Sequence, residues 1–296
     1  MTVGLPRRIL SGVVASAVTA VVRRASDAQA PGGQVRWTRT NHRGEPISLL
    51  EGPAVAAGLL AGGLVGAPSS RGALALTVAT ASGAAFGLVD DLGEDTATRR
   101  KGLRGHLGAL AHGELTTGGL KVLGIGSGAL VAAAVATPLQ RPDGTRRSAI
   151  GWLADVAASG ALVASSANLL NLLDLRPGRA LKAATLVAAP LSLGPGGGAG
   201  AGAAVLGVVG AAMQRDLAEA DMLGDGGANA LGATLGTAVV LSAPRPVRLA
   251  ALAVVVALTV ASEKVSFTRV IERTPVLRDI DGWGRRPVDP PADRSA

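Results

Sequence analysis

Three clusters of polar side chains interrupt an otherwise apolar chain of 296 residues: adjacent Asp90 and Asp91, the series Asn168, Asn171 and Asp174 spaced by three, and Asp225 within Gly224-Asp225-Gly226-Gly227. Basic residues accompany them: Lys101 and Lys121 after the first, Arg176, Arg179 and Lys182 after the second. Carboxylate oxygens without Cys or His companions are hard donors that suit Mg²⁺, with Mn²⁺ as a substitute. Asp225 sits where a glycine-rich loop opens a helix, and the N–H groups of a helix start favour anions. Carboxylates, cationic side chains and a helix N-terminus together predict a site for a metal-bound diphosphate. With no Cys and three His, thiol chemistry, disulfides and a zinc centre are poor explanations.

Each group has a plainer reading. Asp at a helix end caps it, and Asn within an apolar helix hydrogen-bonds to a neighbouring helix. Arg and Lys beside an apolar helix anchor it at the membrane surface. Asp90-Asp91 resists the plain reading, because two carboxylates at a helix C-terminus oppose the helix dipole. They need a cation nearby, and Arg99, Arg100, Lys101 or a metal ion are the candidates. Asn168, Asn171 and Asp174 drift by only about 120° along about 9 Å of one helix. Polar groups placed so in an apolar helix are costly unless they face a cavity or partner.

The elements that must carry these residues are membrane helices. Apolar residues make up 48% and charged ones 17% of the chain, and mean hydropathy is +0.38. Apolar stretches near 3–22, 47–66, 72–89, 119–136, 149–173, 180–194, 198–213, 227–243 and 247–262 predict about nine transmembrane helices, several of them short. The fold class is thus an all-α polytopic membrane protein, with a transmembrane domain over 1–262 and a tail over 263–296. Disorder, nucleic-acid binding and a disulfide scaffold are excluded, and the net charge of +8 belongs to topology. Gly124, Gly126 and Gly128 follow no strand signal and read as helix-packing glycines. Arg7 and Arg8 before an apolar run, with Ala28-Gln29-Ala30, imitate a signal peptide, but Arg23 and Arg24 intervene, so an uncleaved first span is expected. Of the 29 Lys and Arg, twenty fall in one set of alternate loops and in the tail, and eight on the other face. The positive-inside rule then puts the N-terminus outside and the tail in the cytoplasm. The acids, which that count does not use, all reach the cytoplasmic face. Arg141, Arg146 and Arg147 run against the rule.

Phe86-Gly87-Leu88-Val89-Asp90-Asp91 with Lys101-Gly102-Leu103, then Asn168-Leu-Leu-Asn171-Leu-Leu-Asp174, then Gly224-Asp225-Gly226-Gly227 with Leu231-Gly232 are the matching segments. In this order the chain resembles the polyprenyl-phosphate N-acetylhexosamine-1-phosphate transferases. Arg39-Thr40-Asn41-His42-Arg43-Gly44 with Pro46 and Gly52 is similar to the family's first cytoplasmic loop, so the likeness spans roughly 36 to 240. The resemblance implies an inner-membrane enzyme of cell-envelope glycan synthesis. Such an enzyme moves a sugar-1-phosphate from a UDP-linked amino sugar to polyprenyl phosphate and releases UMP; a homodimer is compatible with it. It implies Asp90, Asp91 and Asp174 as catalytic residues and Mg²⁺ on Asp225 with Asp91 or Asp90. It further implies Asn168 and Asn171 on the nucleotide side. Lys101, Lys121, Arg176, Arg179 and Lys182 are expected to bind substrate, with an Arg of the 176–179 loop gripping phosphate. The chain departs from the family where Gly-Leu-Asp-Gly would follow Asp174: it has Leu175-Arg176-Pro177-Gly178-Arg179. It has Ala228 for a Ser and lacks a late His-rich loop, which marks a divergent branch. The rival expectation is a non-catalytic transporter or lipid-linked-sugar-binding relative.

Overall fold

The structure, a computed structural model, describes residues 2–93, 117–140 and 144–287. Each of the nine apolar stretches forms a helix: α1 Leu5–Ala28, α2 Glu51–Gly66, α3 Ser70–Gly93, α4 Thr117–Ala136, α5 Ala149–Leu173, α6 Arg179–Leu193, α7 Ala199–Leu217, α8 Gly224–Ser242 and α9 Arg245–Ser262. Two short tail helices follow, α10 Phe267–Arg273 and α11 Pro275–Gly282. Besides these tail helices, the sequence reading missed a short 3-10 helix at Gln34–Trp37 and an antiparallel pair of three-residue strands, β1 Thr38–Thr40 and β2 Pro46–Ser48, with Arg39 opposite Ile47.

Five of the helices, α1, α3, α4, α5 and α9, are long and apolar enough to cross a membrane. The chain is a helical membrane protein. The other four are shorter or less apolar and lie largely inside the bundle. At about 1.5 Å per residue, the 15 residues of α6 reach only about 22 Å, against about 30 Å of hydrocarbon. At the centre stands α8, whose residues 226–238 are all buried. It packs against α3, α5 and α2, while α1 lies across α2 and α7. No residue of α9 is buried, and this helix rests on α5 alone among the long helices with substantial contact.

Small side chains are what let helices crowd around α8. A methyl group on Gly83 would come within 2.8–2.9 Å of the α8 backbone at Asn229 and Ala230. The backbones of α3 and α8 therefore touch two turns before Asp90. Thr80 and Thr234 hydroxyls meet at 2.7 Å across the same seam, each buried. Gly124 and Gly128 lie inside α4, facing Phe86 and Ser82 of α3, which agrees with their reading as packing residues. Close contact between α3, α4 and α8 brings three chain segments far apart in sequence to one end of the bundle.

Candidate functional site

The C-terminal end of α3, the first turn of α4, the C-terminal end of α5 and the N-terminus of α8 meet at that end. Lys121 of α4 is the hub: its ammonium lies 2.6 Å from Asp90 Oδ2 and also contacts Asp225 Oδ2. Thr117, in the first turn of α4, hydrogen-bonds to the Asp90 carboxylate as well. Asp90 is buried, whereas Lys121, Asp91 and Asp225 are half-buried.

Asp91 does something different. Its Oδ1 accepts the backbone N–H of Asp225 at 2.9 Å and its Oδ2 that of Gly226 at 2.8 Å. The backbone N–H of Gly224 donates to the Asp174 carboxylate. Three successive N–H groups at the start of α8, which have no partner within their own helix, are thus gripped by acids from the ends of α3 and α5. Gly224 has φ +60°, a left-handed conformation natural to glycine, and this turn lets the chain enter α8 between those acids. Partial burial, and then the nearby carboxylates of Asp216, Asp225 and Asp91, push the Asp174 carboxyl well above the ordinary carboxylate range.

The conflict between two carboxylates and the α3 dipole is therefore resolved by three groups. Lys121 neutralises Asp90, the positive end of α8 receives Asp91, and the Arg39 guanidinium caps the α3 carbonyl of Asp91. Lys101, and with it Arg99 and Arg100, lies outside the described residues.

Other expected residues fall elsewhere. Asn168 is exposed, on the same outward stripe of α5 as Ala157 and Ala161, while Asn171 is half-buried. The 120° drift along this series thus suffices to turn Asp174 toward α8 and Asn168 away from the core. Arg179 and Lys182, expected from sequence to bind substrate, are both engaged by the tail in this structure. The Arg179 guanidinium makes a fork-to-fork pair with Asp281 of α11, at 2.9 and 3.0 Å. Lys182 Nζ donates to the carbonyls of Asp281 and Trp283 at 2.7 and 2.6 Å. Arg285 closes the latch on Asp281 at 2.6 Å and on the Pro177 carbonyl at 2.8 Å. Burial alone would raise the Asp281 carboxyl, but the hydrogen bond from Arg179 and the charges of Arg179 and Arg285 hold it below the usual range. The Arg176 guanidinium is half-buried and has no hydrogen-bond partner among the described residues.

Sequence reasoning missed Glu51 and Asp216. Glu51, in the first turn of α2, is 2% exposed, and its carboxyl lies against that of Asp216 and near Asp221 and Asp174. Asp216 accepts the Gly178 N–H at 2.7 Å and so ties α7 to the α5–α6 turn. The available signal was an acid inside an apolar stretch, which the reading of 47–66 as one span passed over.

Among the described residues, no group of three or more Asp, Glu and His side chains is arranged closely enough to hold an ion by itself. The fit to a divalent cation rests on Asp90 and Asp225, whose oxygens already share one positive charge, that of Lys121. Fold and site together define a helical membrane protein with an acid and lysine centre around the start of a buried helix. No protein-family model matches the chain, and no curated protein matches it.

Proposed function

We propose that the protein is a phosphoglycosyl transferase of the polyprenyl-phosphate N-acetylhexosamine-1-phosphate transferase type. It transfers a sugar-1-phosphate from a UDP-linked amino sugar to polyprenyl phosphate, in a multi-pass arrangement of nine spans. The N-terminus is outside, and the site and tail are on the cytoplasmic face of the cell membrane. The four remaining helices, α2, α6, α7 and α8, complete the nine spans in this reading, with α8 surrounded by its neighbours. One observation carries the reading. Three motifs, centred on Asp90, Asp174 and Asp225 and separated by 84 and 51 residues, converge on the N-terminus of α8.

In the reaction, an oxygen of the lipid phosphate bonds to the β-phosphorus of the nucleotide sugar, and the bond from that phosphorus to the bridging oxygen breaks. UMP leaves with the bridging oxygen and its electron pair. Both reactants are anions, so the protein must neutralise charge and align the two phosphates. Asp225 and Asp90 would hold Mg²⁺, which supplies neutralisation of the diphosphate and of the departing UMP. Asp91, with both oxygens on backbone N–H groups, is a positioning residue that fixes Asp225 at the mouth of α8. Lys121, between Asp90 and Asp225, would pair with a substrate phosphate. Arg176 is the loop cation left free for a second phosphate contact.

A second reading is a non-catalytic binder of lipid-linked sugar. It is favoured by Lys121 filling the place between Asp90 and Asp225, and by the tail engaging Arg179 and Lys182. Purified protein given radiolabelled UDP-sugars, polyprenyl phosphate and Mg²⁺ separates the two. Release of UMP dependent on lipid phosphate supports the transferase, and its absence with every UDP-sugar supports the binder.

A further inference from the structure

Arg147, one of the three arginines that run against the positive-inside rule, meets Arg245 and Arg248 at the opposite end of α5. Asp155 lies nineteen residues before Asp174, so this second cluster is about 28 Å from the acid site along the helix. Asp155 is 3% exposed and pairs with Arg147, which precedes α5. Arg245 and Arg248, from the first turn of α9, lie 3.0 and 4.0 Å from its Oδ1. Arg248 also donates to Ser159 Oγ at 2.7 Å.

One carboxylate faces three guanidinium groups, and among the described residues no second acid pairs with them. Two positive charges are left over. The Nε–H groups of Arg147 and Arg248 are buried without an acceptor, and Asp155 Oδ1 beside them is buried without a hydrogen bond too, so the cluster does not satisfy itself. A buried donor on a charged group without an acceptor is costly, and a guanidinium is shaped to satisfy phosphate oxygens with parallel hydrogen bonds. The cluster also lies where a lipid headgroup would be. It stands at the end of α9, a helix with no buried residue, beside the Trp152 indole, which donates to the Thr137 carbonyl at 2.8 Å. Trp at a helix end is characteristic of the bilayer interface.

We infer that Arg147, Arg245 and Arg248 form a binding site for the phosphate group of an anionic membrane lipid, with Asp155 holding the three guanidiniums in place. The site is independent of the transferase reading and needs only a helical membrane protein. Lipid phosphate supplies acceptors for the solvent-facing guanidinium N–H groups of Arg147 and Arg245 and neutralises charge that Asp155 alone does not.

The test is lipid retention by the purified full-length protein in native mass spectrometry, with phosphatidylglycerol and phosphatidylcholine offered in equal amounts. Wild type should retain phosphatidylglycerol at least about tenfold better, the worth of one charge-assisted hydrogen bond. Arg147→Gln with Arg248→Gln should abolish the preference, and Arg245→Gln, at the exposed rim, should reduce it without threatening the fold. Arg146→Gln, on an exposed residue outside the cluster, should change nothing. Equal retention of the two lipids by wild type overturns the inference. Displacement of phosphatidylglycerol by inorganic phosphate would also overturn it, because the site would then belong to a soluble anion.

Discussion

Lys121→Gln removes the one ammonium that Asp90 and Asp225 share. Side-chain exposures of 19% for Lys121, 10% for Asp90 and 26% for Asp225 mean that water screens the cluster only in part. Two charge-assisted hydrogen bonds at the low end of their usual range contribute about 3 kcal/mol. The Asp90 and Asp225 carboxyl groups also lie within hydrogen-bond reach of one another, so keeping both charged without a cation costs further. Without a cation, the variant should therefore be less stable by about 3 kcal/mol or more. A divalent ion that takes the vacated position restores about 2.7 kcal/mol at a concentration one hundred times its Kd. The assay is thermal unfolding of the purified protein in detergent, with MgCl₂ compared against NaCl of equal ionic strength. Lys121→Gln should melt lower than wild type in NaCl and gain more from Mg²⁺ than wild type does. If Mg²⁺ raises the variant's melting temperature no more than NaCl does, Asp90 and Asp225 are not a cation site.

The same measurement divides the acids by role: Asp225→Asn should lose both Mg²⁺-dependent stabilisation and UMP release. Asp91→Asn should keep the stabilisation, yet lose about 1–2 kcal/mol of stability as α8 gives up a charged N-terminal acceptor. Topology is read by cysteine labelling on a chain with no native Cys. Cys at Ile150, 82% exposed, should react with an impermeant reagent in intact cells, and Cys at Leu175, 67% exposed, should be protected. The reverse pattern would invert the orientation. The tail latch should be acid-sensitive. Asp281 titrates below its free value when docked, so docking is fully supported above the free carboxylate range near pH 4 and fails as pH falls through the lower docked value. Proteolysis of the 263–287 segment should accelerate only below about pH 4, and acceleration already between pH 5 and 7 would refute the assignment. Gly83→Leu should separate α3 from α8 and cost at least the 1–3 kcal/mol of an overpacked seam. A wild-type melting temperature in that variant would show that the close approach is not required.

Helix positions were legible because they depend on one local property, an unbroken apolar stretch. All nine stretches form helices, and their ends differ from the sequence reading by a few residues. The number of spans was less legible: α8 has only modest hydropathy but is buried all round, since Gly, Ala and Thr suit contact with other helices as well as contact with lipid. The hairpin of β1 and β2 escaped notice because three-residue strands carry no periodicity. Its consequence is not small, since it delivers Arg39 to the end of α3.

Within the site, residue type and spacing identified the acids but not their division of labour. Asp90 and Asp91 are indistinguishable as letters, yet the roughly 100° between neighbouring helical residues sends one to Lys121 and the other to the N–H groups of α8. That difference depends on where α8 begins, which is set by Gly224 and by packing against Gly83, both remote from Asp91 in sequence. Arg179 and Lys182 make the complementary case. A short basic loop reads equally well as a phosphate grip or as a partner for another part of the chain, and the decision rests on Asp281, about one hundred residues later. The carboxylate of Asp281 meets the Arg179 fork through the same two parallel hydrogen bonds that a phosphate would use. The guanidinium geometry that suits a phosphate suits a carboxylate equally, and only the fold that returns the tail to the α5–α6 turn shows Asp281 as its partner here.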